Sequence, residues 1–406
     1  MTENQERNFG LALSGGGSRA AAFHRGTLRG LNEVGLTKGI GTVSTVSGGS
    51  VFGASWLAAR ARNRSDEGFL TSLRDTLARG FVRPALANWR LLQIALPGQT
   101  RTHRLGETFD ECLFEGLSFD QLPQRPVLCM NTTILNNGQV GRFSQGGFSA
   151  AGVGKFTQGS YPEGLVEGLS LGMATVSSAA YPFGLPPLSL AAKRFAFPLT
   201  GALDGHQKLV LTDGGILENL GVQTLLRSKR FGTKHIVLSD AGAAEKAWKP
   251  SGLFGRLRGA IAYGLAPDIL ERLLLIMSNK LNRSMRQLLF QELANAGRAQ
   301  QDRRVLFVML SQDWDQVIRS IPPWRLVELG VQVPASSGVE VIESALESVG
   351  VNLAAARQVY DDMKGPEGVK AANDVKTSFS ALGSSTLDVL EAHARWQVHV
   401  LAALYL

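Results

Sequence analysis

The chain has 406 residues, of which 44% are hydrophobic and 19% charged, with a formal net charge of +8 at pH 7. This composition is typical of a globular chain with one large domain or two, and no apolar run approaches the roughly 18 residues of a transmembrane helix. The polar segment 1–10 lacks the apolar core of a signal peptide. We therefore expect a cytoplasmic protein.

Cysteine and histidine usage excludes two further classes of protein. Cys112 and Cys129 are too few for a disulfide scaffold, and we expect both to be packing residues. The six histidines form no HExxH pattern and no cluster of zinc-site spacing, so we expect no metal and no other cofactor. The positive net charge suits an acidic surface, a lipid or a nucleic acid, but no motif indicates a nucleic-acid partner.

Predicted strands and helices alternate from the beginning of the chain. Residues 9–14 are typical of a short buried strand, and residues 18–34 of a helix whose apolar positions step by three and four. A second strand, GTVSTVS, precedes the alanine-rich helix VFGASWLAARARN. Further strands are predicted at RPVLCMNTTIL, QKLVLTDGG, KHIVLSDAG and RRVLFVML. This alternation predicts an α/β fold with a mostly parallel sheet and helices on both faces.

The strand pattern ends near residue 312. Beyond it only helices and loops are indicated, and the chain closes with STLDVLEAHARWQVHVLAALYL, which we expect to lie in a core. We therefore expect an α/β body over residues 1–312 and a helical C-terminal extension over residues 313–406 that packs on it.

Three consecutive glycines, Gly15, Gly16 and Gly17, stand where the first strand meets the first helix. With Ala20 they match the GxGxxG/A fingerprint of dinucleotide sites. However, the second predicted strand ends in serines and threonines rather than in the acid that such a site needs, and no Lys-Ser/Thr follows the glycines as in a P-loop. Nucleotide binding therefore stays an alternative. The main interpretation is a site in which the backbone amides of the glycines approach an oxygen of the substrate.

The segment TVSGGS predicts a nucleophile elbow at Ser47, between a strand and a helix. Thr45 stands where the general GxSxG pattern has its first glycine, so only the later half of the pattern is kept. Ser44 and Ser50 are weaker candidates, because only Ser47 has a glycine directly after it at the strand end. The alternative is an ordinary Ser-Gly-Gly turn.

The glycine loop and the Ser47 turn belong to one βαβ unit, so both open at the carboxyl edge of a parallel sheet, where α/β ligand sites lie. Amides of the glycines would then lie near Ser47 Oγ. An ester carbonyl attacked by this oxygen becomes an oxyanion, and the loss of one amide donor to it typically costs about 3–4 kcal/mol. The arrangement predicts acyl transfer.

Two aspartates are candidates for the base that this nucleophile needs. Asp213 ends the predicted strand LVLTD and is followed by two glycines, which would allow close packing beside Ser47. Asp240 in IVLSDAG is the rival. In a desolvated cleft a carboxylate pKa rises, and the group can take the serine proton without a histidine. For either residue the alternative role is a helix N-cap.

The segments SGGGSRA, VSGGS and DGGILENLG together resemble the patatin-like and cytosolic-phospholipase group of lipid acyl hydrolases, nearest to its cytosolic phospholipase and fungal phospholipase B branch. The resemblance covers about residues 9–242 and implies a three-layer α/β/α fold with a Ser–Asp dyad. It implies Ser47 as nucleophile, Asp213 as base and Gly15, Gly16 and Gly17 as oxyanion donors. It further implies a supporting role for Arg19, which would steady the loop or bind a lipid phosphate, and for Gly48, Gly49, Gly214 and Gly215.

Two more segments are similar to the family in a weaker way. PVLCMNTTILNNGQVGRFS resembles its central strand, and ATVSSAAYPFGLPPL resembles its AxxSSAxxP segment. Ala20 and Thr45 depart from the glycines found in many members, and Thr45 puts the elbow geometry in question. We assign no chemistry to His24, which we expect to cap or pack within the first helix.

Residues 268–293 predict an amphipathic helix. The apolar positions Leu270, Leu273, Leu274, Met277, Leu281, Met285 and Leu288 share one face, and Arg272, Lys280, Arg283 and Arg286 share the other. Either the apolar side packs on the core, or the helix is a lid or membrane-surface helix whose cations meet anionic lipid headgroups.

These features lead to one main hypothesis, a lipid acyl hydrolase of phospholipase A or lysophospholipase type that uses Ser47 and Asp213. We expect a lipid ester or phospholipid substrate. Peripheral membrane contact through residues 268–293 follows if the apolar side of that helix does not pack on the core. The alternative is a lipid-binding or scaffold protein that has kept the fold and lost turnover, which Thr45 would favour.

Overall fold

The computed structural model describes residues 9–85, 99–150, 168–182, 184–195, 198–227, 231, 233, 235–243, 267–296, 304–334 and 337–405. In these ranges the strands are β1 Phe9–Leu13, β2 Ile40–Val46, β3 Val127–Ile134, β4 Gln139–Ser144, β5 Gly147–Ala150, β6 Leu188–Ala191, β7 Lys208–Asp213, β8 His235–Asp240 and β9 Arg304–Met309. The first helices are α1 Gly17–Glu33, α2 Gly48–Ala61, α3 Asp66–Arg79, α4 Val82–Ala85, α5 Arg101–Phe109, α6 Leu171–Ser178, α7 Val222–Arg227 and α8 Pro267–Ala296. The later helices are α9 Trp314–Arg319, α10 Pro323–Glu328, α11 Val339–Ser348, α12 Ala354–Asp362, α13 Gly365–Asp374 and α14 Ser384–Tyr405.

All nine described strands form one sheet in the order β5-β4-β3-β2-β1-β8-β9, and β7 lies against β3 and β6. The central strands β3, β2, β1, β8 and β9 run parallel, as predicted. Strands β4, β5, β6 and β7 pair antiparallel and extend the sheet beyond β3. The fold is thus mixed α/β with a mostly parallel central sheet flanked by helices.

Side chains alternate between the two faces of the central strands, and each face is covered by helices. Leu11 and Leu13 of β1 join one core with α1 and α2, whereas Ala12 between them joins a second core with α7 and α8. In α1 the predicted inward positions Phe23, Thr27 and Leu31 are buried. This three-layer arrangement holds the ends of β1 and β2 in the protein interior.

The C-terminal helices share the body's core. Leu387, Leu390, Ala394 and Val398 of α14 pack in the same cluster as β1, while Trp396 of the same helix packs with Trp314 in a separate helical cluster. The closing segment of the chain is therefore core, as expected. The division of the chain at residue 312 stays a prediction.

Helix α8 leaves much of its predicted apolar face exposed, although Met285 of that face packs against the core. Leu273, Met277, Leu281 and Leu288 are 54%, 62%, 52% and 57% exposed. The inward face instead carries Asn282, Leu289 and Leu293, which are buried. The side chain of Leu270 lies outside the described residues. Among the helices that the structure describes, none is both long enough and apolar enough to cross a bilayer.

Candidate active site

Ser47 lies at a sharp turn between β2 and α2. Its backbone angles are φ 51° and ψ −118°, a conformation that costs a residue with a side chain about 1–3 kcal/mol. The turn is held by the amides of Ser50 and Val51, which donate to the Ser47 carbonyl at 2.8 and 3.1 Å. The Ser47 hydroxyl is thereby presented at the strand end, which is the geometry expected of a nucleophile elbow.

Thr45 does not disturb this turn. Its hydroxyl lies 2.8 Å from Ser50 Oγ and donates to the Cys129 carbonyl at 3.3 Å. The side chain is fully buried, so the position that is often glycine is filled by a satisfied hydroxyl. This departure from the pattern therefore gives no reason to doubt the elbow.

The glycines after Ser47 let the elbow pack backbone to backbone against the first loop. A Cβ on Gly48 would lie 2.2 Å from the Gly17 carbonyl oxygen and 2.6 Å from its nitrogen. A Cβ on Gly49 would lie 2.3 Å from the Leu13 carbonyl oxygen. Real Cβ atoms do not approach so closely, so side chains at these two positions would push the glycine loop away from Ser47.

The glycine loop uses left-handed backbone at Gly16 and Gly17, whose φ values are 145° and 61°. The Gly15 amide is not available to an oxyanion, because it donates to the Asn219 carbonyl at 3.0 Å. Among the described residues, no group accepts a hydrogen bond from the amides of Gly16 and Gly17. The amides of Gly16 and Gly17 therefore stay the candidate oxyanion donors, whereas the Gly15 amide already has an acceptor in the structure.

Asp213 lies at the end of an antiparallel strand whose C-terminal end meets that of β2. Strand β7 runs antiparallel to β3 and places Asp213 opposite Thr132, while the parallel neighbour β2 places Val46 opposite Asn131. The ends of β2 and β7 thus meet head to head along one side of β3. Strand β7 is thus antiparallel within the mostly parallel sheet, and Asp213 nevertheless comes out at the carboxyl end of β2, beside Ser47.

Asp213 is 3% exposed, and its carboxyl accepts a hydrogen bond from the Gly215 amide at 2.7 Å. Burial raises the pKa of the carboxyl to about 6, against the lowering effects of the Gly215 amide and of the nearby Ser47 hydroxyl. The same carboxyl caps the short 3₁₀ turn Gly214–Ile216. Both sequence interpretations of Asp213, the acid beside Ser47 and the cap, therefore apply to this residue.

The glycines after Asp213 allow this close approach. A Cβ on Gly214 would lie 2.4 Å from the Asn131 carbonyl oxygen, and one on Gly215 would lie 2.9 Å from Asp213 Oδ1. The turn that carries Asp213 thus packs directly on β3.

The rival carboxylate, Asp240, is engaged elsewhere. One oxygen accepts from the Gly242 amide at 2.8 Å, and the other accepts from the Arg286 guanidinium of α8 at 2.6 and 2.5 Å. Arg286 was expected on the outer, cationic face of this helix. The ion pair turns it toward the sheet instead and removes it from the cations that face solvent.

Arg19 anchors the glycine loop to the C-terminal part of the chain. Its guanidinium is 7% exposed and donates to the Val375 carbonyl at 2.9 Å. Burial lowers its pKa to about 10, opposed by the charge of Asp240. Next to it, the Ser18 amide donates to the Ser378 carbonyl at 2.7 Å. Of the two expected roles, these contacts support the steadying of the loop.

Two residues to which the sequence assigned no role, Ser178 and Asn131, form hydrogen bonds with the backbone around Ser47. Ser178 accepts from the Ser47 amide at 3.1 Å and donates to the Asn131 carbonyl at 2.6 Å. The Asn131 side chain donates to the Thr45 carbonyl and to Ser44 Oγ, both at 2.9 Å. Both residues lie in the segments of weaker family similarity, which was the signal that could have found them.

His24 lies beneath the glycine loop as a neutral packing residue. Its ring nitrogens lie 2.8 Å from Ser239 Oγ and 2.9 Å from the Ser14 carbonyl oxygen. Burial lowers its pKa to about 4, although the Ser14 carbonyl and the Asp240 charge act in the opposite direction. A metal-binding group of three or more His, Cys, Asp or Glu side chains is absent from the described ranges.

The chain shows similarity to several solved structures. Human GIVD cytosolic phospholipase A2 in complex with methyl gamma-linolenyl fluorophosphonate shares 15% identity at a TM-score of 0.48, over 99% of this chain and 58% of that chain. Another structure of the human GIVD enzyme gives 15% identity and a TM-score of 0.43, over 60% of this chain and 44% of that chain. VipD from Legionella pneumophila gives 12% identity and a TM-score of 0.28, over 97% and 92% of the two chains. The chain thus spans less than two thirds of those human enzymes.

Curated proteins give no match to this sequence. A family model described as patatin-like phospholipase matches residues 11–226. That span is more than half of the 406 residues and contains the glycine loop, the Ser47 elbow and Asp213. The chain belongs to the patatin-like phospholipase family, a family of lipid acyl hydrolases.

Proposed function

We propose that this protein cleaves carboxylic esters of lipids, as a phospholipase A or lysophospholipase, with Ser47 as nucleophile and Asp213 as base. The observation that carries the proposal is that Ser47, on a strained elbow, lies beside a buried carboxyl whose pKa is raised to about 6 by burial and lowered in part by the Ser47 hydroxyl. A base with a pKa near the working pH combines the ionised form with useful basicity.

The reaction begins when Ser47 Oγ attacks the acyl carbonyl carbon and its proton passes to the Asp213 carboxylate. The negative charge that forms on the carbonyl oxygen is stabilised by the amides of Gly16 and Gly17. The tetrahedral intermediate then breaks its bond to the alcohol, which leaves with the proton from Asp213. Water attacks the acyl-enzyme with Asp213 again as base, and this step releases the fatty acid and restores Ser47.

The exposed face of α8 supports a lipid surface as the partner. Leu273, Met277 and Leu281 are more than half exposed, and Lys280 and Arg283 are exposed beside them. Soluble monomers rarely expose contiguous apolar patches of this kind unless the patch binds something. Leucines flanked by cations match the boundary of an anionic bilayer, where the apolar chains insert and the cations meet the headgroups.

This face belongs to the helix that closes on the Asp213 turn. Ser278 donates to the Gly215 carbonyl at 3.0 Å, and the Asn282 side chain accepts from the Asn219 amide at 3.3 Å. A membrane bound to the outer side of α8 would therefore lie one helix diameter, roughly 10 Å, from the Asp213 turn.

The catalytic proposal is tested with p-nitrophenyl acyl esters of graded length, then with phospholipid vesicles, and with a fluorophosphonate probe. Wild-type protein should hydrolyse the esters and be labelled at Ser47. Ser47→Ala and Asp213→Asn should lose at least about 10³-fold in rate, whereas Ser72→Ala and Asp204→Asn, at exposed positions, should not. A wild-type protein that binds vesicles but is neither active nor labelled would instead be the lipid-binding scaffold.

The membrane proposal is tested by co-sedimentation with vesicles of phosphatidylserine and phosphatidylcholine. Met277→Asp and Leu281→Asp should each weaken binding about tenfold or more, because burial of one such side chain is worth roughly 1.5–3 kcal/mol. Val341→Asp, at a 53% exposed position of α11, is the matched control and should bind like wild type. Equal binding by all variants would refute α8 as the contact.

A further inference from the structure

The side chain of Asn219 fills the gap between the glycine loop and the Asp213 turn. Its Oδ1 lies where a Cβ on Gly15 or on Gly215 would stand, only 2.2 Å from the first position and 2.5 Å from the second. The Gly15 position is also 3.1 Å from Ser47 Cβ, and the Gly215 position is 2.9 Å from Asp213 Oδ1. One amide group thus lies next to both members of the proposed dyad.

The backbone of Asn219 fixes this side chain in place. Its carbonyl accepts from the Gly15 amide at 3.0 Å, and its own amide donates to Asn282 Oδ1 of α8 at 3.3 Å. Among the residues that the structure describes, nothing hydrogen-bonds to the terminal amide of Asn219. The side chain is therefore held by its backbone and by packing between two glycines.

These contacts explain why positions 15 and 215 are glycine, which their backbone conformation alone does not explain. Gly15 and Gly215 have no positive φ, so alanine would be allowed at both positions by conformation alone. It is the Asn219 amide that occupies the space of their side chains. The three residues form one packing unit that joins the loop carrying the proposed oxyanion donors to the turn carrying the proposed base.

We infer that Asn219 is a positioning residue, the spacer that sets the separation between the glycine loop and the Asp213 turn. The inference rests on the proposed function, since it concerns where the amides of Gly16 and Gly17 stand relative to Ser47. Displacement of a reacting group by about 1 Å can cost about 100-fold in rate. Because the Asn219 side chain contacts both the glycine loop and the Asp213 turn, it can fix their separation to within such a distance.

The test measures the rate at which a fluorophosphonate labels Ser47, as a maximal rate and a half-saturating concentration. Asn219→Ala should lower the maximal rate about 100-fold and leave the half-saturating concentration unchanged, because the gap lets the loop move without removing a probe contact. Asn137→Ala, in the β3–β4 turn, is the control and should label like wild type.

The second arm exchanges one spacer for another. In the wild type, Gly15→Ala should slow labelling, because its methyl group displaces the Asn219 amide. In the Asn219→Ala background the same methyl group enters the vacated space, so Gly15→Ala should be harmless or should restore part of the rate. A residue that contributes only to overall stability would show no such reversal, and urea unfolding of all four proteins measures that contribution separately.

The outcomes distinguish a failure of the Asn219 inference from a failure of the proposed Ser47–Asp213 dyad. A labelled wild type with unchanged rates in Asn219→Ala, or with equal effects of Gly15→Ala in both backgrounds, would overturn the spacer and leave the dyad standing. A wild type that no fluorophosphonate labels at Ser47 would overturn the dyad, and the spacer with it.

Discussion

Replacement of Asp213 by asparagine should stabilise the protein while it abolishes hydrolysis. The carboxyl is buried, and its pKa rises from 3.8 to about 6 on folding, with burial as the cause. The folded state therefore binds this proton more tightly than the unfolded state. As pH rises through this interval the wild type loses stability, and above pH 6 the loss is complete.

The size of the effect follows from the same two values. At 1.36 kcal/mol per pKa unit, ionisation of the buried group costs about 3 kcal/mol at pH 8 and about 1 kcal/mol at pH 4.5. Asparagine has the same shape, and its Oδ1 can still accept from the Gly215 amide. Asp213→Asn should thus exceed the wild type in free energy of unfolding by about 3 kcal/mol at pH 8.

Urea unfolding followed by tryptophan fluorescence at pH 4.5, 5.5, 6.5 and 8 measures this difference. Asp204→Asn removes an exposed carboxylate and controls for the change in net charge. Equal stability of wild type and Asp213→Asn at pH 8, or a gain that grows toward acid pH, would contradict a desolvated ionisable carboxyl beside Ser47.

Three further predictions follow from the site. Ser47→Gly and Ser47→Ala should both be inactive. Only the glycine variant should raise the free energy of unfolding, by about 1 kcal/mol, because only glycine relieves the left-handed backbone at φ 51°. Urea unfolding of the two variants measures this difference. The rate of p-nitrophenyl ester hydrolysis should rise with pH through about 6 as Asp213 ionises, and a profile flat from pH 4.5 to 7 would exclude it as the base. Asp240→Asn should keep hydrolysis but lose about 2 kcal/mol of stability, because Arg286 loses its charged partner; loss of activity at full stability would make Asp240 the base instead.

The parts of the site that lie within short segments could be predicted from the sequence. The buried strands β1 and β2, the glycines between strand and helix, and the serine before Gly48 are local patterns, since each depends on neighbours within a few residues. The structure places the glycine loop and the elbow in contact as the βαβ rule requires.

Strand direction and helix orientation could not be predicted in the same way. The order of apolar and polar residues in LVLTD is the same whether β7 runs parallel or antiparallel. The sequence pattern therefore could not predict that the ends of β7 and β2 meet. The two faces of α8 were visible, but not which one turns inward. That choice depends on distant partners: the Gly215 carbonyl, the Asn219 amide and Asp240 bind Ser278, Asn282 and Arg286 on the inner face, beside the buried Leu289 and Leu293.

The hydrogen bonds from Ser18 to Ser378 and from Arg19 to Val375 have a consequence for how the protein is made. They join the first strand–helix junction to a segment some 356 positions later, and such closures are slow because long loops must find each other. On the ribosome, Ser47 and Asp213 emerge well before the residues that brace the glycine loop. Under the proposed mechanism, a nascent chain therefore carries Ser47 for a long part of its synthesis beside an unbraced glycine loop, and hydrolysis begins only when the segment around Val375 and Ser378 has docked.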